Sequence, residues 1–229
     1  MNPSFTSAAS NAPDALQIES FRCGPLQNNA YLIIDFAARE AVIIDPSIES
    51  DAVLQRAREL QTQGIQFKQI WNTHGHFDHV YDNAKWKTAL NVPLLAHPAD
   101  AMFLEHLREQ ALWFGLPAPE IALPDAELHE GQILQVGTHS ATVLEVPGHS
   151  PGSVAFDFGD FLVSGDVLFE GSVGRTDLPG CSNAALAASV RRLFAFAPQT
   201  RILPGHGAQT TIEAEKRGNL VARDLLEKN

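Results

Sequence analysis

The amino-acid sequence predicts an α+β fold in which two β-sheets pack face to face and helices cover their outer surfaces. The chain divides into two halves, and in each half several strand patterns are followed by helical patterns, as expected of layered sheets with outer helices. No internal repeat or low-complexity segment interrupts either half. The 229 residues, 45% of them hydrophobic and 19% charged, suffice for a substantial core. We therefore expect one domain over residues 15–229.

Apolar runs bounded by turn residues predict the strands of the first half, at residues 16–21, 31–36, 41–45, 67–71 and 92–96. Apolar residues recur at helical spacing between Ser50, a candidate N-cap, and Gly64, a stop signal, which predicts a helix. Helical patterns follow at residues 83–90 and 98–115. A loop containing three prolines is predicted over residues 116–130.

The second half is richer in strands. Short β patterns separated by turn residues predict strands at residues 133–136, 141–146, 153–158, 161–164 and 201–203. An amphipathic pattern at residues 186–194 predicts a helix that begins after a cap at Ser182 and Asn183. Thr210 and Glu213 form a candidate capping box, which would open a final helix that runs to the C-terminus.

Charge, cysteine content and hydropathy exclude several classes of protein. The formal net charge of −11 argues against a nucleic-acid-binding surface. Cys23 and Cys181 are too few for a disulfide framework, so a reducing compartment is favoured and we expect a cytoplasmic protein. No 18-residue apolar run predicts a membrane span, and residues 1–14, rich in Ser, Ala, Asn and Pro, indicate a disordered tail rather than a leader.

The densest chemical signal lies at residues 73–79, which read THGHFDH directly after a predicted strand. Imidazole nitrogens and a carboxylate together suit zinc, iron or manganese. Alternate residues of an extended chain point the same way, so His74 and His76 can share one metal, while Asp78 and His79 can face a second metal beside it. The alternative is a polar turn capped by Asp78, which the tight spacing and the further ligand candidates disfavour.

Three more candidate ligands each follow a predicted strand in a glycine-containing turn. They are His149 in PGHSPG, Asp166 in SGD and His206 in PGHG. An isolated His or Asp in such a turn is more often a cap or a surface residue, but repetition of the pattern favours a shared site. The other four histidines lack this context and are interpreted as surface or structural residues: His97, His106, His129 and His139.

Taken together, these motifs resemble the metallo-β-lactamase superfamily, in the family's order. The resemblance implies an αββα sandwich with a two-metal site at one edge. It assigns one metal to His74, His76 and His149, the other to Asp78, His79 and His206, and the bridging position to Asp166, which makes Asp78 and Asp166 the catalytic carboxylates. Three imidazoles and a shared carboxylate leave a coordination position open for water, as catalytic metals require. The implied activity is hydrolysis by a metal-bound hydroxide, with two divalent ions, zinc first and iron or manganese as alternatives.

Within the superfamily, residues 169–180 (FEGSVGRTDLPG) are similar to a segment of glyoxalase II-like hydrolases, which cleave acyl-glutathione thioesters. A basic residue of those enzymes binds the glycine carboxylate of glutathione, and Arg175 occupies the matching position. A forked guanidinium suits a carboxylate. The resemblance therefore implies a small anionic thioester as substrate; the alternative is that Arg175 is a loop residue paired with Asp177.

Two departures from the glyoxalase pattern favour a short, single-domain relative. The family's glutathione-binding tyrosines are replaced by Asp177 and Ala208. Only 23 residues follow His206, so we expect no C-terminal helical domain.

Other reactions remain open within the same superfamily. A persulfide dioxygenase, a mononuclear iron oxidoreductase, shares the run at residues 174–177 but normally carries an Asp-Tyr pair where Gly207 and Ala208 stand. A lactone or other ester hydrolase is a further alternative. A purely structural metal site is disfavoured, because structural sites close their coordination with four protein ligands.

Overall fold

The computed structural model describes the backbone of residues 5–8 and the whole of residues 16–229. Within these residues a first sheet of seven strands runs in the order β1 to β7. Its strands are β1 Phe5–Ala8, β2 Gln17–Cys23, β3 Asn28–Asp35, β4 Glu40–Ile44, β5 Gln66–Trp71, β6 Leu94–Ala96 and β7 Ala126–Glu127. Strands β1 to β4 pair antiparallel, whereas β4 to β7 pair parallel.

The later strands of the described chain are β8 Ile133–Val136, β9 His139–Glu145, β10 Val154–Asp157, β11 Phe161–Gly165, β12 Leu168–Phe169, β13 Ser172–Val173, β14 Arg201–Pro204 and β15 Thr210–Thr211. Six of them form a second sheet in the order β15-β14-β11-β10-β9-β8. Strands β12 and β13 form a separate small hairpin between β11 and β14 in the chain.

Helices lie outside both sheets. They are α1 Asp51–Thr62, α2 Phe77–Val80, α3 Asn83–Leu90, α4 Ala101–Glu105, α5 Leu107–Trp113, α6 Asn183–Leu193, α7 Ile212–Gly218 and α8 Leu220–Lys228, with a short 3₁₀ helix at Pro98–Asp100. Apolar residues of α1 and α3 pack on the outer face of the first sheet, and those of α6 and α8 pack on the second. The predicted two-sheet sandwich with outer helices is confirmed.

The main core lies between the sheets, and strand β3 shows why it forms there. Every residue of β3 is buried. Tyr31 and Ile33 face the second sheet, while Leu32 and Ile34 face the layer that contains α1, because successive side chains of a strand point to opposite faces. A strand buried on both faces therefore reads as a continuous apolar run.

Several predicted boundaries differ from the structure. Residues 5–8, predicted to belong to a disordered tail over residues 1–14, form β1, which covers the edge of β2 that would otherwise expose unpaired backbone groups; residues 1–4 and 9–14 lie outside the described residues. The predicted loop at residues 116–130 contains β7, which adds a parallel strand beside β6.

The C-terminal region also differs from the prediction: its first helix begins one residue later than the capping box implies, and two helices replace the single predicted one. Thr211, rather than Thr210, is the N-cap of α7, because its side chain accepts a hydrogen bond from the backbone of Ala214. Thr210 belongs to β15, and its hydroxyl donates to buried Glu215. The single final helix is interrupted at Asn219, whose side chain caps α8.

Candidate metal centre

The predicted ligands come together at one edge of the sandwich, because the strands before them run in the same direction. His74 follows β5, which is parallel to β4. Asp166 follows β11 and His206 follows β14, and these two strands are also parallel. The backbone N–H of Val154 donates to Thr73 O at 2.8 Å, and that of Asn29 donates to Gly205 O at 2.7 Å, so the two sheets are joined beside the site.

The first triad consists of His74, His76 and His149, which are all buried. One side-chain nitrogen from each of them lies within 4.8 Å of the others. The closest pair is His76 Nδ1 and His149 Nε2, at 2.8 Å. Two imidazole nitrogens at this distance need a proton or a cation between them, since their lone pairs would otherwise repel each other.

The second triad consists of Asp78, His79 and His206. His206 Nε2 lies 3.3 Å from both Asp78 Oδ2 and His79 Nε2. Asp166 stands between the triads: one of its oxygens is 3.3 Å from His79 Nε2, and the other is 3.5 Å from both His149 Nε2 and His206 Nε2. The carboxylate thus reaches both groups, as a bridging ligand must.

Electrostatics disfavour protonation of His74 and His76 and keep Asp78 and Asp166 charged. Burial and the neighbouring imidazoles hold the pKa of His74 well below its ordinary value, and the same causes lower the pKa of His76 to about 4. Burial alone would raise the pKa of Asp166, but His79 brings it down to about 2. Burial would likewise lower the pKa of His79, but Asp166 and Asp78 outweigh it and raise that pKa well above the ordinary range. The two carboxylates therefore favour a positive charge beside them, which a proton on His79 or a metal cation can supply.

Unpartnered buried atoms in the described chain also fit bound metal. Four side-chain atoms that are shielded from solvent have no hydrogen-bond partner, among them His74 Nε2 and Asp166 Oδ1. Buried polar atoms are normally satisfied, and an exception calls for an ion or water. Imidazole and carboxylate donors in this mixture suit zinc, iron or manganese.

Neighbouring groups fix the orientation of most of these rings. His149 Nδ1 lies 2.9 Å from Arg175 O, His206 Nδ1 lies 3.1 Å from Leu26 O, and His79 Nδ1 lies 3.1 Å from Asp45 Oδ2. Donation to these oxygens would place a proton on Nδ1 of each ring and turn Nε2 toward the centre, where it could bind a metal.

Asp45 lies close enough to His74 and His79 to form a third ligand-like group, but its carboxylate is already engaged. It accepts hydrogen bonds from the backbone N–H of Thr73 at 2.8 Å and from the Thr73 hydroxyl at 2.6 Å, in addition to the contact with His79. Asp45 therefore orients a proposed ligand and the loop that carries the others.

Asp100 joins the two loops that supply the first triad. It is buried, and its Oδ2 accepts from the backbone N–H of Gly75 at 2.8 Å and from the Ser150 hydroxyl at 2.6 Å. Its Oδ1 accepts from the backbone N–H of Gly152 at 2.6 Å. One carboxylate thus fixes the spacing between the 73–79 loop and the 147–152 loop.

Glycine is required where the backbone passes closest to the centre. A Cβ atom at Gly205 would overlap Asp166 Oδ1 and lie 2.6 Å from His79 Cε1. Any larger residue there would displace the carboxylate between the two triads.

Comparison with known proteins agrees with this geometry. The model of the metallo-beta-lactamase superfamily matches residues 23–206, which is most of the chain. The chain belongs to the metallo-beta-lactamase superfamily. Hydroxyacylglutathione hydrolase GloC of Haemophilus influenzae is 37% identical over 209 residues, which cover 89% of this chain and 97% of that protein.

Two solved structures share both the superfamily fold and recognisable sequence. TTHA1623, described in a di-iron-bound form, is 43% identical with a TM-score of 0.76, and the match covers 86% of this chain and 96% of that one. BLEG-1, a B3 metallo-beta-lactamase, is 32% identical with a TM-score of 0.80, covering 89% of this chain and 98% of that one.

A cleft of about 640 Å³ opens over the superfamily's His and Asp positions. Its floor contains His76, Asp78, His149, Asp166 and His206. Its walls are mainly apolar and come from α4, α5, the β12–β13 hairpin and the loop after it. The cleft therefore leads a small molecule directly to the proposed metal ligands.

Arg175 lines this cleft, but its guanidinium is paired. Nε and Nη2 donate to the two carboxylate oxygens of Asp177 at 2.6 and 2.7 Å, and both side chains are largely exposed. The sequence could not decide between a substrate contact and a loop ion pair; the structure shows the ion pair, and a contact with substrate stays a prediction.

The remaining histidines lie outside the centre. His97 contacts Glu145 at 3.0 Å and His139 contacts Asp35 at 3.2 Å, while His106 and His129 are exposed. His106 nevertheless lines the cleft.

Sequence reasoning missed the residues that support the ligands. Asn28 donates to Asp78 Oδ2 at 2.7 Å, and no sequence motif marks it as a partner of that carboxylate. Asp45 is an acidic residue at the end of an apolar run, and that position could have indicated a role beside the ligands. Asp100 carries no local signal, since it stands in a helical stretch far from either loop that it joins.

Proposed function

We propose that the protein is a binuclear metallohydrolase that cleaves thioesters, in the manner of hydroxyacylglutathione hydrolases. The observation that carries the proposal is the pair of His/Asp triads joined by Asp166 at the floor of a cleft. The 37% identity with a protein named hydroxyacylglutathione hydrolase supports the thioester class. Small anionic thioesters are the proposed substrates.

The proposed ligand sets are those implied by the sequence. His74, His76 and His149 would hold one ion, Asp78, His79 and His206 would hold the other, and Asp166 lies within reach of both triads. Two divalent cations held here would supply Lewis acidity, which polarises a carbonyl oxygen and acidifies water at neutral pH. Zinc is the proposed metal, with iron or manganese as alternatives.

The chain's own residues would prepare this chemistry in two ways. Asp78 and Asp166, the proposed catalytic carboxylates, remain charged, because neighbouring histidines hold their pKa values below the ordinary range. The acceptors behind His79, His149 and His206 hold the rings in place, so little reorganisation is needed when substrate binds.

The proposal includes a reducing, cytoplasmic location. Cys23 and Cys181 are both free thiols, which suits such a compartment. Among the described helices, none combines the length and apolar character that crossing a bilayer requires.

A substrate panel on metal-quantified protein tests the proposed reaction. Acyl-glutathione thioesters, a lactone, a β-lactam and a persulfide are compared at saturating zinc, iron or manganese, with oxygen uptake recorded. We expect thioester turnover with about two metals per chain. Oxygen-dependent persulfide consumption by a protein holding one iron, without thioester turnover, would replace the proposal by the dioxygenase reaction.

Arg175 is the proposed contact for an anionic group of the substrate. Its present partner Asp177 is exposed to solvent, and exposed ion pairs are weak, so a substrate carboxylate can take the same two donors at little cost. Arg175→Ala should raise KM for an acyl-glutathione by roughly tenfold or more, the scale of a lost charge-assisted contact. An uncharged thioester should be affected much less.

Asp177→Ala is the matched variant for this test. It breaks the same ion pair but leaves the guanidinium free, so KM for the anionic thioester should stay equal or fall. If Arg175 only stabilises the loop, both substitutions will act in the same direction on both substrates.

A further inference from the structure

The cleft is bounded by an apolar wall that is exposed to solvent. Met102 of α4, Trp113 of α5 and Phe114 directly after α5 all line it, with side chains 53%, 75% and 51% exposed. Contiguous exposed apolar side chains are uncommon on proteins unless they contact a ligand or a partner. Their position around the mouth of the proposed active site favours a ligand.

The apolar surface reaches the proposed metal ligands on two sides. The ring of Phe103 lies 5.0 Å from that of His76, and the ring of Phe169 lies 6.1 Å from that of His206. Phe114 packs at 4.6 Å from Phe77, next to Asp78 in the chain. A substrate whose reacting carbonyl lies over the centre must therefore place its substituents against apolar side chains.

Positive charge is scarce along the same walls. Among the residues that line the cleft, Arg175 is the one Lys or Arg side chain, and it is paired with Asp177. Glu109 of α5 adds a negative charge. One paired cation can receive one carboxylate, so the acyl group that meets the remaining walls should be apolar rather than charged.

We infer that the apolar wall formed by Met102, Trp113 and Phe114 binds an apolar acyl group. The preferred substrates are then thioesters of alkyl or aryl acids rather than of small hydroxy acids. This inference rests on the proposed function for the reacting bond and extends it to the acyl group. Burial of each added methylene should improve binding by roughly two- to fourfold until the wall is covered.

The binding test does not require turnover. Trp71 and Trp86 are fully buried, whereas Trp113 is exposed, so its fluorescence should shift to shorter wavelength when an alkyl chain covers it. S-methyl- and S-hexylglutathione, which are thioethers and have no ester bond to hydrolyse, are titrated into the metallated protein. We expect S-hexylglutathione to bind at least about tenfold more tightly.

The kinetic test uses acetyl-, butyryl- and hexanoylglutathione, for which kcat/KM should rise with chain length. Trp113→Ala should flatten both the binding and the kinetic series; because this variant lacks the fluorescent reporter, its binding is compared with that of the wild type by isothermal titration calorimetry. Leu220→Ala is the matched control: Leu220 is 69% exposed on α8, does not line the cleft, and should leave both series unchanged.

The outcomes separate this inference from the proposed function. Thioester turnover with equal binding of the two thioethers overturns the apolar acyl preference and leaves the hydrolase proposal standing. If binding depends on chain length but no thioester is hydrolysed, the apolar acyl site is supported and the proposed thioester hydrolysis is refuted. If Trp113→Ala changes only the sedimentation behaviour of the protein, the wall is a contact between copies of this chain and the inference fails.

Discussion

Replacement of Asp100 by asparagine should weaken metal binding without removing any proposed ligand. Asp100 accepts three hydrogen bonds, from the backbone N–H of Gly75 and Gly152 and from the Ser150 hydroxyl, at 2.6 to 2.8 Å. An asparagine keeps the shape but presents an NH₂ group to at least one of these donors. The two loops that carry His74, His76 and His149 would then lose their fixed spacing.

The magnitude follows from the burial of this carboxylate. Asp100 is 1% exposed, and each buried donor left without an acceptor costs about 1–3 kcal/mol. With one or two donors affected, Asp100→Asn should lower the free energy of unfolding of the metal-free protein by roughly 1–6 kcal/mol. Metal affinity should fall by about 10- to 100-fold, as for other groups that orient ligands.

Asp35→Asn provides the matched control. Asp35 is 2% exposed and accepts hydrogen bonds from Ala38, Thr138 and His139. It ends β3, whereas Asn28 beside the centre begins that strand, so the two positions are separated by roughly 20 Å or more. This substitution should cost stability and leave metal affinity unchanged.

Two measurements on each variant distinguish a role of Asp100 in positioning the ligands from a role in stability alone. Urea unfolding of metal-free protein gives stability, and competition with a chromophoric chelator gives the metal dissociation constants. If Asp100→Asn destabilises the protein but binds metal like the wild type, or if both variants lose metal affinity equally, Asp100 is a structural residue without a positioning role.

Three further outcomes are expected. His206→Ala should lower the bound metal from about two ions per chain to about one, because His206 belongs to one triad only; unchanged metal content by elemental analysis and an unchanged rate would contradict a binuclear site. Asp166→Asn should lower both metal affinity and turnover, because it removes a charge shared by both triads; wild-type values for both would place Asp166 outside the coordination sphere. Burial opposes ionisation of Asp35, but hydrogen bonds from the N–H groups of Ala38 and Thr138 lower its pKa from 3.8 to about 2. The ionised carboxylate therefore contributes about 2 kcal/mol to the free energy of unfolding above pH 4, and this contribution is lost as the pH falls from about 4 to about 2. The difference in urea stability between wild type and Asp35→Asn should therefore be larger at pH 6 than at pH 3, and an equal difference would show that the contribution does not depend on the charge.

The sequence alone determined the two-sheet sandwich and the proposed ligands. Apolar runs and helical spacing are local properties, so the sequence predicts β4 and α6 close to their observed bounds, whereas the predicted β3 begins three residues late. The ligand set was readable because His and Asp recur in glycine-containing turns after strands, and parallel strands deliver such turns to one edge. The ligand-bearing turns meet at one edge because the strands before them run in the same direction, and the order of strands and helices along the chain already implies that direction.

The residues that surround those ligands follow from tertiary packing and not from local sequence. Asn28 contacts Asp78 across 50 positions of the chain, and Asp100 contacts Gly75 across 25. Each residue is unremarkable in its own local context, because its partner is supplied by packing between distant segments rather than by a nearby motif. The same holds for the apolar wall, since exposed aromatic residues such as Trp113 look like ordinary helix positions until the fold places them at the rim of the cleft.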